Sequence, residues 1–287
     1  MPFDTIVVCG AAHGDAPLLL EQALPLLTAT RPVVRLLELP LQRAAPTATA
    51  TRPLEPIAAV IGRLGLTLRR DTSVGTGRGV VQELLASGAD LVIKGVALPE
   101  DGRATLDGLD LELIRRCPCP VWFVECTAPR PPRRIIAALR PAGDEGEGGR
   151  LAVRTAAVAA RFAEATRGEL NVLCAWEPLM APAPPAGGDT RTWLVHREWR
   201  DEARRRVGRT LSAAGVQLSD ERLTVVEERF GRALPRFIQE RRANLVVMGT
   251  RGRTQWLDSV IRPHAETVLC ETRVPVLVVK SGQEPQP

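Results

Sequence analysis

The chain has 287 residues, of which 45% are hydrophobic and 25% are charged, a composition typical of an ordinary globular protein with room for two domains. Its formal net charge of +5 comes mostly from arginines spread among acids, since only Lys94 and Lys280 are lysine, and it does not by itself indicate a nucleic-acid partner. Apolar runs are too short for a membrane span, and the N-terminal MPFDTIVVCG lacks a basic leader, so we expect a cytoplasmic location.

The first half begins with the apolar run TIVVCG at 5–10, which predicts a buried strand. The segment 77–95 predicts a loop, a helix and a second apolar strand, and CPVWFVE at 119–125 predicts the last strand of this half. The glycine-rich stretch at 75–79 lacks the spacing and the lysine of a phosphate loop, so it predicts a turn before a helix.

The second half follows a proline-rich connection at 126–134 and again alternates strands with helices. We predict strands at 134–139, 169–176, 223–228, 245–248 and 274–280, and helices at 150–165, 191–214, 233–241 and 264–271. The densest basic cluster, 197–209, lies in the second of these helices. There the pairs Asp201–Arg205 and Glu202–Arg206 predict a solvated helix face rather than a nucleic-acid-binding stripe.

The two halves repeat each other. The segment GRGVVQELLASGADLVIKG at 77–95 aligns without a gap with GRALPRFIQERRANLVVMG at 231–249, and CPVWFVE at 119–125 aligns with VPVLVVK at 274–280. The strands are continuous apolar runs between helices, which predicts parallel sheets buried on both faces. The fold class is therefore α/β, with two tandem open parallel five-stranded sheets flanked by helices. The second half is complete and the first is abridged.

This repeat predicts four segments of the chain. They are a first domain at 1–127, a linker at 128–132, a second domain at 133–281 and a disordered tail at 282–287.

Cysteine and histidine patterns indicate neither a metal site nor catalysis. Cys117 and Cys119 form a C-x-C pair near Cys126, which is a weak zinc signal without a second pair or a close histidine, so we expect buried or loop thiols in a reducing compartment. The three histidines are scattered and have no partner nearby in sequence, so no catalytic residue is predicted.

Several motifs together carry a family resemblance. The stretch VVMGTRGRT at 246–254 is followed by HAETVL and VPVLVVK, while the first half contains ADLVIKG and RRCPCPVWFVE. In this combination the chain resembles the universal stress proteins in their tandem two-domain form. The resemblance implies the strand order 3-2-1-4-5 in each half. It also implies pairing of the last strands, VWFVE with PVLVVK, as an internal pseudo-dimer, with homodimers as a further option. Trp122 would lie either in that interface or at an ordinary core position.

The same resemblance implies a nucleotide site over Met248, Gly249, Gly252, Arg253 and Thr254. Nucleotide-binding members carry Gly, two residues, Gly, nine residues, and then Gly with Ser or Thr. Here that last pair is replaced by Arg262-Pro263, and a proline has no N–H to donate to a phosphate.

Two further departures weaken the nucleotide site. Arg140 stands where binding members have an acid, and the loop after Gly95 lacks the second glycine. We therefore expect a non-enzymatic stress-response or regulatory binding protein with degenerate nucleotide loops, no cofactor, and a protein partner that the sequence does not identify. The alternative is an ATP- or AMP-binding switch that uses 249–254, and nucleic acid is disfavoured as a partner.

Overall fold

The computed structural model describes residues 3–10, 15–39, 53–73, 75, 77–96, 106–125, 131–140, 146–176, 190–250, 268, 272 and 274–280. In these residues the chain forms one sheet of ten strands with helices packed on both faces.

The first half contributes five strands and four helices. The strands are β1 (Thr5–Gly10), β2 (Val33–Glu38), β3 (Leu68–Thr72), β4 (Leu91–Val96) and β5 (Val121–Glu125). The helices are α1 (Ala16–Thr30), α2 (Glu55–Arg63), α3 (Arg78–Ala86) and α4 (Gly108–Arg116).

The described part of the second half contributes five more strands and three helices. The strands are β6 (Arg134–Leu139), β7 (Glu169–Trp176), β8 (Leu223–Glu227), β9 (Leu245–Thr250) and β10 (Val276–Lys280). The helices are α5 (Glu147–Thr166), α6 (Thr190–Ala213) and α7 (Phe230–Arg241), and a short 3-10 helix (Asp220–Arg222) precedes β8.

The strand order of the whole sheet is β3-β2-β1-β4-β5-β10-β9-β6-β7-β8. Within each half this is the order 3-2-1-4-5, with every pair parallel, which confirms the predicted α/β architecture. The two halves meet through their last strands, because β5 and β10 pair antiparallel with Trp122 opposite Leu277. The tandem sheets are therefore continuous rather than separate.

The abridged first half keeps all five strands, and its shortness lies in the helices. Helix α2 has 9 residues where its counterpart α6 has 24, and α1 has 15 residues where α5 has 20. Strands cannot be dropped from the middle of a parallel sheet without unpairing their neighbours, whereas a crossover helix can shorten at one end. The predicted helix at 264–271 lies outside the described residues except for position 268.

The core also crosses between the halves. Phe162 of α5 makes edge-on contacts with Trp122 of β5 at 5.4 Å and with Phe3 at 5.6 Å between ring centroids. Trp122 is 1% exposed, so it is both a core residue and an interface residue. Such aromatic pairs contribute about 0.5–1.5 kcal/mol each beyond the area they bury. The two halves are therefore joined both by the pairing of β5 with β10 and by a common hydrophobic core.

Candidate functional site

The ligand crevice of an open parallel sheet lies beyond the carboxyl ends of the strands where the strand order reverses. In this chain that point falls between β1 and β4 in the first half and between β6 and β9 in the second. Cys9 lies opposite Lys94 in the first pair of strands, and Ala138 lies opposite Met248 in the second. Lys94 and Met248 are also aligned in the sequence repeat, so the two crevices can be compared directly.

In the second half the structure places two of the five predicted site residues. Met248 is 3% exposed and packs in the core, and Gly249 is half-buried at the end of β9. A Cβ at Gly249 would lie 2.8 Å from Leu151 Cγ and 2.8 Å from Thr155 Oγ1, both on α5. The close packing of α5 on β9 is thus a sufficient reason for a glycine at 249.

The remaining predicted contacts of this crevice lie outside the described residues. These are Gly252, Arg253 and Thr254, and the departure Arg262-Pro263 lies there as well. Arg140, which replaces the acid of nucleotide-binding members, is described and exposed. It directly follows β6 and therefore brings a positive charge to the same end of the sheet as Thr250.

The first-half crevice contains a buried ion-pair cluster that the sequence analysis missed. The Lys94 ammonium lies 3.2 Å from Asp110 Oδ1 and 3.5 Å from Asp107 Oδ2. It also donates a hydrogen bond to the carbonyl oxygen of Gly95 at 2.9 Å. Lys94 is 8% exposed and Asp110 is 1% exposed, so this is an interior pair rather than a surface one. We refer to Lys94, Asp107 and Asp110 as the lysine–aspartate cluster.

The two aspartates of this cluster also cap helix α4. The backbone N–H of Asp110 donates to Asp107 Oδ1 at 2.7 Å, and the backbone N–H of Asp107 donates to Asp110 Oδ2 at 2.9 Å. This reciprocal arrangement is a capping box, and it satisfies N–H groups that would otherwise be open to an anion. The helix N-terminus that could bind a phosphate in this half is thus occupied by carboxylates of the chain itself.

The electrostatics of the cluster follow from its burial. Burial lowers the pKa of Lys94, but the carboxylates of Asp110 and Asp107 outweigh it and hold that pKa above its usual value. Burial raises the pKa of Asp110 to about 6, although the Lys94 ammonium acts in the opposite direction. Asp110 therefore depends on Lys94 to remain ionised in the interior.

One signal in the sequence could have located this cluster. Of the 38 Lys and Arg residues only Lys94 and Lys280 are lysine, and both are buried, at 8% and 5% exposure. In a chain whose other basic residues are all arginine, two lysines at the ends of apolar strands are unusual. The count was visible in the composition, but its meaning depends on burial, which the sequence alone does not show.

Other sequence candidates have structural explanations. The glycine-rich stretch at 75–79 leads into α3 as predicted, because Gly77 directly precedes the helix with a φ of 45° and the Gly75 N–H donates to Ser73 Oγ at 3.1 Å. His13 and His264 lie outside the described residues, and nothing is described of the side chain of His196.

The basic cluster on α6 is an ion-pair network on a helix face. Glu202 accepts hydrogen bonds from Arg206 at 2.8 Å and from Arg205 at 3.1 Å, which lowers the pKa of its carboxyl group. The predicted Glu202–Arg206 pair is confirmed. The predicted Asp201–Arg205 pair is wrong, because Arg205 bonds to Glu202 one turn back instead. Arg205, Arg206 and Arg209 of this helix thus all pair with Glu202 of the same helix.

The described part of the chain has neither a cluster of metal ligands nor a membrane-spanning helix. There, no group of three or more His, Cys, Asp or Glu side chains is arranged to hold a metal ion. None of the helices described is both long and apolar enough to cross a bilayer.

Comparisons with known proteins identify the fold. Residues 142–280 match the model of the universal stress protein family. The whole chain is similar to a functionally unknown protein from Pseudomonas aeruginosa PAO1, with 24% identity, a TM-score of 0.74, and coverage of 97% of this chain and 92% of the other. It is also similar to a universal stress protein from Archaeoglobus fulgidus DSM 4304, with 16% identity, a TM-score of 0.66, and coverage of 98% and 100%. None of the curated proteins matches the chain.

Proposed function

Because residues 142–280 match the universal stress protein family, we propose that the chain is a non-enzymatic stress-response or regulatory protein that acts by binding. Its two halves form an internal pseudo-dimer, and its nucleotide loops are degenerate. The observation that carries the proposal is the lysine–aspartate cluster, in which carboxylates of the chain occupy the helix N-terminus at the first-half crevice.

That cluster opposes ATP in two ways. The capping box uses N–H groups of α4 that a phosphate would need, and the two carboxylates repel a negatively charged ligand. Lys94 offers no compensation, since its charge is already shared between Asp107 and Asp110. We expect the first half to bind no adenine nucleotide in the manner of the family.

Thiol chemistry at the strands also argues for a non-enzymatic role. Cys9 on β1 and Cys174 on β7 are fully buried, and burial raises the pKa of each thiol to about 12. A thiol with such a pKa is almost entirely protonated near neutral pH and is a poor nucleophile. Neither cysteine is therefore a candidate for covalent catalysis.

A second candidate function is an ATP- or AMP-binding switch that uses 249–254 in the second half. It is supported by the position of Gly249 at the switch point and by the exposed arginine at 140, which could pair with an anion. Against it stand the packing explanation for Gly249 and the Arg262-Pro263 sequence.

Calorimetric titration of the full chain with ATP and magnesium separates the two. We expect no stoichiometric binding by the natural sequence. The triple variant R140D/R262G/P263S restores the family pattern at the three departures and should gain binding of one nucleotide per chain. Stoichiometric binding by the natural sequence would favour the switch, and ATP-dependent release of phosphate above a buffer control would overturn the non-enzymatic proposal.

A further inference from the structure

A second group of buried reactive side chains lies where the two halves meet. Cys117 and Cys119 stand between α4 and β5, and their sulfur atoms are 3.3 Å apart in a buried hydrogen bond. Cys117 is 1% exposed and Cys119 is 8% exposed. We refer to these two residues with Lys280 as the dithiol cluster.

The antiparallel pairing of β5 with β10 brings Lys280 to the level of the two cysteines. The register places Val278 opposite Val121, so two residues further on Lys280 ends β10 at the level of Cys119. Val276 and Val278 pack in the same core cluster as the two cysteines, and the alternation of side chains along a strand puts Lys280 on that face too. The dithiol cluster therefore combines residues of both halves.

The Lys280 ammonium is in an unusual position for a buried charge. It is 5% exposed, and its Nζ has no hydrogen-bond partner among the residues that the structure describes. Burial lowers its pKa to about 8, and the ionisable group that acts on it among the described residues is Cys117. A buried cation is stable only with a counter-charge or after losing its proton, and a Cys117 thiolate would supply that counter-charge.

The two thiols have different tendencies to ionise. The hydrogen bond with Cys119, opposed by burial and aided by the charge of Lys280, holds the pKa of Cys117 below its usual value. The same hydrogen bond together with burial raises the pKa of Cys119 far above its usual value. Of the two thiols, Cys117 is therefore the one that loses its proton more readily, with Cys119 placed to donate a hydrogen bond to it.

We propose that Cys117 and Cys119 form a peroxide-sensitive dithiol that closes reversibly to a disulfide, with Lys280 as the proton donor and acceptor of the reaction. The sulfur atoms are already in contact, and the intervening Pro118 keeps the two residues close in the chain. The site is nearly closed to solvent, so hydrogen peroxide, which is of similar size to water, is a better oxidant for it than a bulky disulfide. This inference is independent of nucleotide binding.

The chemistry balances with peroxide as the oxidant. The Cys117 thiolate attacks one peroxide oxygen, the O–O bond breaks, and the hydroxide that leaves takes a proton from Lys280 to form water. The Lys280 amine then removes the Cys119 proton, and the new thiolate attacks the sulfenic acid sulfur of Cys117. As the S–S bond forms, the S–O bond breaks and the second hydroxide takes that proton from Lys280. Two thiols lose two electrons, and one peroxide becomes two waters.

The test uses the full chain with Cys126 and Cys270 replaced by serine, so that only the described cysteines remain. The protein is treated with hydrogen peroxide, denatured, alkylated and digested, and each cysteine-containing peptide is followed by mass spectrometry. We expect the peptide that contains Cys117 and Cys119 to escape alkylation and to be two hydrogens lighter than the unalkylated dithiol, while Cys174 stays reduced and is alkylated. Cys174 is the internal control, since it is also buried and contacts no thiol among the described cysteines.

Three comparisons identify the roles of Lys280, of Cys119 and of the oxidant. Lys280→Met should slow formation of the disulfide about tenfold, because losing the nearby ammonium raises the pKa of Cys117 and lowers its thiolate fraction. Cys119→Ser should stop the reaction at a sulfenic acid on Cys117 that dimedone traps, and glutathione disulfide at the same concentration should react much more slowly than peroxide. Oxidation of the pair no faster than that of Cys174, or an unchanged rate in Lys280→Met with native circular dichroism, would overturn the proposal.

Discussion

The lysine–aspartate cluster makes a quantitative prediction about stability through the substitution Lys94→Met. Methionine is the residue that the second half has at the aligned position, so it suits a buried strand. The change leaves Asp110, at 1% exposure, as an interior carboxylate without its cation. Removing one partner of a buried ion pair costs about 3–5 kcal/mol of unfolding free energy, because the remaining charge is uncompensated. The effect should appear as a lower midpoint in urea denaturation.

The same variant should depend on pH in a defined direction. Burial raises the pKa of Asp110 to about 6 from an unfolded value of 3.8 even with Lys94 present. A carboxyl group whose folded pKa is raised favours the folded state most below its unfolded pKa, and this contribution is lost as the pH rises through the folded pKa. The deficit of Lys94→Met should therefore be smaller at pH 5 than at pH 7.5.

Two control variants test whether the buried Lys94–Asp110 pair stabilises this crevice. The double variant K94M/D110A removes both charges, and we expect it to recover at least half of the loss. Arg204→Met removes the cation of the exposed Arg204–Asp220 pair, whose side chains are 42% and 92% exposed, and should cost less than about 1 kcal/mol. The buried pair is not what stabilises this crevice if Lys94→Met costs no more than Arg204→Met. The same conclusion follows if K94M/D110A loses as much stability as the single variants Lys94→Met and Asp110→Ala lose together.

Two further predictions concern packing, and urea denaturation measures both. Phe162→Ala removes the ring that contacts Trp122 and Phe3 and should cost about 3–5 kcal/mol, whereas Leu85→Ala on the surface should change stability by about 0.5 kcal/mol or less. Equally small losses of stability in Phe162→Ala and Leu85→Ala would show that the aromatic contact between the halves does not stabilise the fold. Gly249→Ala places a methyl group 2.8 Å from Leu151 and Thr155 and should cost about 1–3 kcal/mol, whereas Gly79→Ala in α3 has open space and should be neutral or stabilising. A Gly249→Ala variant as stable as the natural chain would contradict the packing explanation for this glycine.

The sequence was informative about the fold because the signals for the fold are local and repeated. Apolar strands between amphipathic helices, together with a segment that aligns with itself, predict parallel sheets and their duplication, and the family resemblance supplied the strand order. The bounds of α5, α6 and α7 agree with the predictions to within a few residues, since capping groups and helix-forming residues act within one turn. Pairing of the last strands followed from the resemblance rather than from any pattern in VWFVE or PVLVVK.

The crevices were harder to predict, because their chemistry depends on residues that are distant in the sequence. The segment after Gly95 contains several acidic residues, but the contact of Lys94 with Asp107 and Asp110 requires the actual approach of α4 to β4. Lys280 and Cys117 are separated by most of the second half, and only the antiparallel pairing of β5 and β10 brings them to one level. Composition identified both lysines, but it could not show that they are buried.

The antiparallel pairing of β5 with β10 also changes what substitutions can achieve at the junction. In a dimer of two identical chains, a twofold axis would place the same strand on both sides, and every substitution would occur twice. Here the two sides are encoded separately, so Trp122 faces Leu277 and a lysine on one side can meet a pair of thiols on the other. Carrying both halves in one chain thus frees the interface from the requirement of self-complementarity. A single, asymmetric site can arise at a surface where a symmetric dimer would have to build two identical ones.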